Sequence, residues 1–235
     1  MLLGSIVNAI AIIVFGLIGS LLVRGFPQRI DDIMKKAMGF AIFFLGIRGA
    51  LSNENFLLLL ICLVSGGILG ELINIDALMN KLGLWTEKKL GLSAKAGEGR
   101  SFAKAFVYTS LLYNTGSVAI LGALQSGLTG NHEMLFAKSA MDAVSSLIFG
   151  ASMGIGVVFS FIPVFLYQSS ITLASFAISN LLTEDMIREM AAVGSLIVAG
   201  IGFNFLEITK IRIANFIPAI FMPIVYLAIE SLFFK

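Results

Sequence analysis

The chain has 235 residues, of which 58% are hydrophobic and only 13% are charged, and its mean hydropathy is +0.97. A soluble domain has about 45–50% apolar and about 25% charged residues, so this composition excludes an ordinary soluble protein. It indicates a protein that crosses a membrane several times, and the single cysteine excludes an intrachain disulfide.

Eight apolar runs are each close to the roughly 20 residues that a spanning helix needs. They cover residues 4–23, 33–51, 56–73, 105–125, 138–156, 159–180, 190–207 and 213–234. We therefore predict an all-α, polytopic transmembrane helical bundle that forms a single integral membrane domain over residues 1–235. Seven crossings are the alternative if the fifth and sixth runs form one helix, although residues 138–180 are about twice as long as one span.

Residues 74–104 form the longest polar segment. Within it Leu78, Leu82 and Trp85 recur at helical spacing, which predicts an amphipathic helix on the membrane surface with Trp85 at the headgroup level. A solvated loop helix is the alternative. The basic residues of this segment favour contact with anionic membrane lipid over a nucleic-acid partner. Its glycine-containing part, residues 91–99, is predicted to be flexible.

The distribution of positive charge predicts the orientation. Under strict alternation of eight crossings, three quarters of the 16 lysine and arginine residues fall on the side that includes residues 74–104. Positive residues are enriched on the cytoplasmic side, so we predict a cytoplasmic 74–104 loop and both termini outside.

The fifth run contains a stripe of polar and small residues, because Asp142, Ser146, Gly150 and Gly154 follow one another at four-residue steps. An acid inside an apolar helix is costly in lipid and is expected to face protein, water or an ion. Lys138 lies one turn earlier and is a competing partner. The charge count places Lys138 at the outer face and Asp142 about 6 Å farther in, which predicts an outward-facing entrance.

Other runs contain similar polar stripes. Ser110, Asn114 and Ser117 share a face of the fourth run, while Gln168, Thr172, Ser175 and Ser179 recur along the sixth. Glycine-rich segments at Gly116, Gly154–Gly156 and Gly200–Gly202 are predicted helix breaks. Asn8 and Asn204 are polar residues in the first and seventh runs.

A faint internal similarity links the segment that begins at Ile30 to the one that begins at Glu184. It predicts inverted three-helix repeats, 4–73 and 159–234, which flank the central helices 105–157. Gly66 and Gly70 form a GxxxG pattern, a close-packing signal that is compatible with a homodimer.

Four segments resemble the YdfK/YqgA-like membrane protein family, also called domain of unknown function 554. They are GSIVNA from Gly4, TGSVAILGAL from Thr115, KSAMDAVSS from Lys138 and IRIANFIPA from Ile211. The resemblance covers essentially the full chain. It implies a multi-pass protein of the bacterial inner (cytoplasmic) membrane with a transport role, and it transfers no substrate and no site residue.

No nucleotide-binding, zinc-protease or paired-cysteine motif is present, and the chain has one histidine, so the sequence does not predict an enzyme. We predict a secondary, ion-coupled transporter of a small solute or cation, with no cofactor and with Na⁺ or H⁺ as the coupling ion. An ion channel and a non-transporting scaffold or sensor are the alternatives. The predicted site combines Asp142, Ser146, Asn114, Ser110, Ser117, Gln168 and Thr172, supported by Asn8, Asn204, Gly150 and Gly154.

Overall fold

A computed structural model describes residues 1–22, 28–89, 101–178 and 182–226 of the chain. The predictions for Ser179, for the side chain of Leu82 and for residues 91–99 lie outside the described part. Within it every regular element is helical, which confirms the all-α prediction. The helices are α1 (Leu3–Leu22), α2 (Gln28–Ala50), α3 (Phe56–Ile73), α4 (Ile75–Lys89), α5 (Phe102–Asn114), α6 (Ser117–Thr129), α7 (Glu133–Met153), α8 (Gly156–Phe159), α9 (Phe161–Ile178), α10 (Glu184–Phe205) and α11 (Ile213–Tyr226), which begins as a 3₁₀ helix over Ile213–Phe221.

The helices confirm an integral membrane protein. In the described ranges five spans are long and apolar enough to cross a membrane, or six if the bent pair α5 and α6 is counted as one span. Helix α2 falls outside this count because its first half contains charged residues, and the described part of α11 is short. The predicted number of eight crossings, with seven as the alternative, therefore stays a prediction.

Two of the three predicted helix breaks are present. Helices α5 and α6 meet at an angle of 62° across Thr115 and Gly116. Helix α7 ends at Gly154, whose φ of 84° lies in the left-handed region that favours glycine. The break predicted at Gly200–Gly202 is wrong, because α10 continues to Phe205. A Cβ atom on Gly202 would lie 2.6 Å from the Phe43 nitrogen, so this glycine allows close helix packing instead.

Internal contacts divide the chain into two compact units. The first contains the described residues of Met1–Met34, Ala77–Asn114 and Val118–Ile178. The second contains Lys35–Asp76, Thr115–Ser117 and the described residues after 181. This division does not test the predicted single domain or the two predicted repeats, so both stay predictions.

In the first unit, α1 packs along α7 and also contacts α8 and α9. Small residues allow the backbones of α1 and α7 to approach closely. A Cβ atom on Gly19 would overlap the Leu147 carbonyl oxygen, and one on Gly150 would lie 2.5 Å from the Gly16 carbonyl oxygen. This close approach places the side chains of α1 directly against the polar stripe of α7.

In the second unit, α2 packs on α10 and α3 packs on α11. Gly46 faces Ala199 of α10, while Gly66 and Gly70 face Ala219 and Asn215 of α11. The GxxxG pattern is therefore used inside the chain, and the homodimer stays a prediction without this pattern as its support. The helices that pair here are counterparts under the predicted repeat, which also stays a prediction.

Candidate functional site

The centre of the candidate site is an ion pair on α7. Lys138 and Asp142 are one helical turn apart, and Lys138 Nζ lies 2.6 Å from Asp142 Oδ2. Both side chains are buried, with exposed fractions of 8% and 7%. Lys138, the competing partner named from the sequence, does pair with Asp142. Because Asp142 is closed off from solvent in this conformation, the outward-facing entrance stays a prediction.

Asn8 of α1 connects this ion pair to α9. Its amide nitrogen donates to Asp142 Oδ2 at 3.0 Å and to Gln168 Oε1 at 3.3 Å. Asn8 and Gln168 have no exposed surface. The three helices that contribute these residues are all in the first unit. Each of the three helices thus directs polar side chains from an otherwise apolar stretch toward the other two helices.

Two atoms of this group have no hydrogen-bond partner. They are the side-chain oxygen of Asn8 and the side-chain nitrogen of Gln168, and both are buried. An unsatisfied buried polar group costs about 1–3 kcal/mol, so such atoms call for an explanation. The buried hydroxyls of Ser5 and Ser169, which lie near these two residues in the sequence, also have no partner.

Tyr113 of α5 contributes a hydroxyl and an aromatic ring to the group. Its hydroxyl lies 2.9 Å from Ser146 Oγ, and Lys138 Nζ lies 5.9 Å from the centre of its ring. The second distance is within the range of a cation–π interaction. We call the six residues Asn8, Tyr113, Lys138, Asp142, Ser146 and Gln168 the polar cluster.

The structure brings together four of the predicted site residues, Asn8, Asp142, Ser146 and Gln168. Other predicted residues of the first unit bond to backbone carbonyls. Ser110 donates to Phe106, Asn114 donates to Ser110 at 3.0 Å, and Thr172 donates to Ala123 at 3.1 Å. These bonds satisfy the hydroxyls of Ser110 and Thr172, whereas the side-chain oxygen of Asn114 is buried without a partner.

Four more predicted residues have other positions. Gly150 packs against α1, and Gly154 ends α7. Asn204 belongs to the second unit and holds the turn after α10, because it accepts from the Ile211 nitrogen at 2.9 Å and donates to the Ile211 oxygen at 2.8 Å. Ser117 is likewise assigned to the second unit.

Sequence reasoning missed Tyr113 and the polar contacts of the second unit. There the buried carboxylate of Glu189 accepts from the Asn53 side chain and, at 3.0 Å, from the Glu54 nitrogen. Glu71 forms an ion pair with Arg212 at 2.7 Å and accepts from Asn215 at 2.6 Å. For Glu71 the signal that identified Asp142 was available, because Glu71 is a charged residue inside the apolar run 56–73.

The fold and the cluster define an integral membrane protein whose interior holds an ion pair linked to amide side chains. The family model described as "Protein of unknown function (DUF554)" matches residues 3–228. The chain belongs to this family.

Two relatives match over nearly the full chain. It is 30% identical to "Uncharacterized membrane protein YdfK" of Bacillus subtilis (strain 168) over 224 residues, which cover 94% of this chain and 93% of the relative. It is 28% identical to "Uncharacterized protein YqgA" of Escherichia coli (strain K12) over 222 residues, 94% of each chain. No solved structure matches the chain significantly.

Proposed function

We propose that this protein is a secondary transporter that moves a small solute or ion through the bacterial inner membrane and uses the polar cluster as its binding site. The observation that supports this most is the buried Lys138–Asp142 pair, joined to two amides that each retain an unsatisfied atom. Two charges removed from water cost several kcal/mol each, and ionisable residues within spanning segments most often belong to substrate or ion pathways.

The geometry favours H⁺ over Na⁺ as the coupling ion. Lys138 Nζ already occupies Asp142 Oδ2 at 2.6 Å, so a metal cation at the same oxygen would meet the positive charge of the ammonium. A proton needs no coordination shell, and it can be exchanged by the carboxylate or the ammonium itself. The cluster also lies in the first unit, and α7, which carries three of its residues, ends at the break at Gly154.

Reconstitution into liposomes tests this proposal. Vesicles that contain the purified protein and a trapped pH-sensitive dye are given a panel of small organic and inorganic ions from outside. For a transporter we expect that one class of solute changes the pH inside the vesicles. The rate of this proton movement should saturate as the concentration of the solute rises. An ion current without saturation would instead identify a channel, and the absence of any flux across the panel would favour a scaffold.

The test needs variants that separate the site from the fold. Asp142→Asn and Lys138→Met should each abolish the coupled proton movement. Ser145→Ala is the matched control, because the Ser145 hydroxyl lies on the same helix and donates to the Met141 carbonyl of that helix. If both cluster variants fold normally and retain wild-type flux, the polar cluster is not the transport site.

A further inference from the structure

The hydrogen bonds of Asn8 depend on the state of Asp142. An ionised carboxylate only accepts hydrogen bonds, so the amide nitrogen of Asn8 must face it. The same nitrogen donates to Gln168 Oε1, which turns the nitrogen of Gln168 away. The observed arrangement, with the Asn8 oxygen and the Gln168 nitrogen unpartnered, is the one that an ionised Asp142 requires.

A second arrangement satisfies the same three side chains. A protonated Asp142 can donate, and the Asn8 amide can rotate so that its oxygen accepts from both neighbours. Gln168 then presents its nitrogen to Asn8 and turns its oxygen away. The state of one carboxylate therefore decides which of the two amides offers a donor and which offers an acceptor to a ligand.

A proton on Asp142 also changes the charge of the cluster. An ion pair of Lys138 and Asp142 has no net charge, whereas a neutral Asp142 leaves the Lys138 ammonium as a buried cation without its anion. Such a charge is strongly unfavourable until another anion takes the place of the carboxylate. Proton uptake and anion binding would then favour each other, and the coupling is reciprocal.

The contacts of the two charged groups differ in what each group would lose with a change of charge. The ammonium has a second favourable contact, because Nζ lies 5.9 Å from the centre of the Tyr113 ring. Among the described residues, Tyr113 of α5 is the titratable side chain found in contact with the pair, whereas α1 and α9 contribute the amides of Asn8 and Gln168 and α8 is apolar. A lysine that lost its proton would give up the contact with the ring, while a protonated Asp142 retains its bond to Asn8.

We infer that Asp142, Asn8 and Gln168 form a two-state hydrogen-bond relay, and that the state with a proton on Asp142 binds a small anion at Lys138. The ligand class is a compact anion such as a small carboxylate, because all six residues of the polar cluster are buried. This inference rests on the proposed function, since it makes the transporter one that moves an anion together with a proton.

Formate, the smallest carboxylate, serves as the probe. Purified protein in detergent and weak buffer is titrated with sodium formate while a pH-indicator dye follows the free proton concentration. We expect uptake of about one proton per bound formate, with an affinity that rises by up to about tenfold for each unit of pH decrease. Methylammonium chloride, the matched cationic probe, should cause no proton release.

Two variants of the ion pair should affect formate binding in opposite ways. Asp142→Asn fixes a neutral partner, so it should bind formate at least as tightly as the wild type, without proton uptake and without dependence on pH. Lys138→Met should lose formate binding. Asn8→Leu should keep the proton uptake but lose the change in the side-chain amide bands that infrared difference spectra are expected to show on acidification. Ser145→Ala should match the wild type in all three measurements.

Proton release upon addition of methylammonium would overturn the inference, because it would identify an exchange of cations against the lysine proton. Formate binding without proton uptake, or no binding at any pH, would also overturn it. These results are independent of the flux measurement. Saturable cation flux would support the proposed transport function and contradict the anion relay. Formate-linked proton uptake without flux would support the relay and contradict the transport function.

Discussion

The Lys138–Asp142 pair has an energetic consequence that can be measured at the level of single residues. Lys138→Met leaves a buried carboxylate without its cation, and we expect it to lower the free energy of unfolding by about 3–5 kcal/mol. The double variant Lys138→Met, Asp142→Asn removes both charges and should recover most of this loss. Denaturant unfolding in detergent checks both values, and a double variant that is as unstable as the sum of the two single variants would contradict the expectation.

Residue by residue, the sequence permits local contacts to be predicted better than distant ones. The Lys138–Asp142 pair follows from a spacing of four residues on one helix. The Asn8–Asp142 bond joins residues that are 134 positions apart, and no local pattern indicates it. Ser110 and Asn114 do share a helix face as predicted, but their donors bond to carbonyls of the same helix, an option that polar spacing alone does not exclude.

At the level of the element, the contact between α1 and α7 is sensitive to one methyl group. A Cβ atom on Gly19 would overlap the Leu147 carbonyl oxygen, and backbone cannot move as easily as a side-chain end. We expect Gly19→Ala to destabilise the protein by about 1–3 kcal/mol, as overpacking usually does. Gly116→Ala is the control, because a Cβ atom there meets nothing within 4 Å. The thermal unfolding temperatures of the two variants test this expectation. Equal stability of the two variants would contradict the close approach of α1 and α7.

The GxxxG surface of α3 gives a second prediction at this scale. A Cβ atom on Gly66 would overlap the backbone of Ala219 in α11, so the surface is filled within the chain. Gly66→Val should therefore destabilise the protein equally at all protein concentrations. Leu72→Val, at a residue that is 78% exposed, should have little effect. A stability loss that shrinks as protein concentration rises would indicate that the surface also serves between copies of the chain.

Glycine patterns predicted the helix breaks incompletely, for a physical reason. Segments with glycine at Gly116 and Gly154 do interrupt helices, whereas the segment at Gly200–Gly202 stays helical. A missing Cβ atom permits both an unusual backbone conformation and a close neighbour. Which of the two applies depends on the partner helix, here Phe43 of α2, and the partner lies far away in the sequence.

At the level of the whole molecule, composition was sufficient to predict a helical membrane protein, but the number of crossings depends on tertiary structure. The bend of 62° between α5 and α6 permits either one broken span or a re-entrant pair that returns to the same side. Every later helix crosses the membrane in opposite directions in the two cases. If the pair spans, residues 133 and 89 lie on opposite sides of the membrane, and the predicted excess of positive charge on the cytoplasmic side is preserved.

Cysteine labelling in intact cells distinguishes these topologies. Cys62 is the single cysteine, so Cys62→Ala provides a background without thiols. Into it Lys89→Cys, Glu133→Cys, Glu184→Cys and Lys210→Cys are introduced one at a time, all at exposed positions. With eight crossings we expect a membrane-impermeant maleimide to label positions 133 and 184 from outside, and positions 89 and 210 only after the cells are opened. Labelling of position 210 from outside, with 133 and 184 protected, would show that α5 and α6 form a re-entrant pair, since every later segment would then change sides.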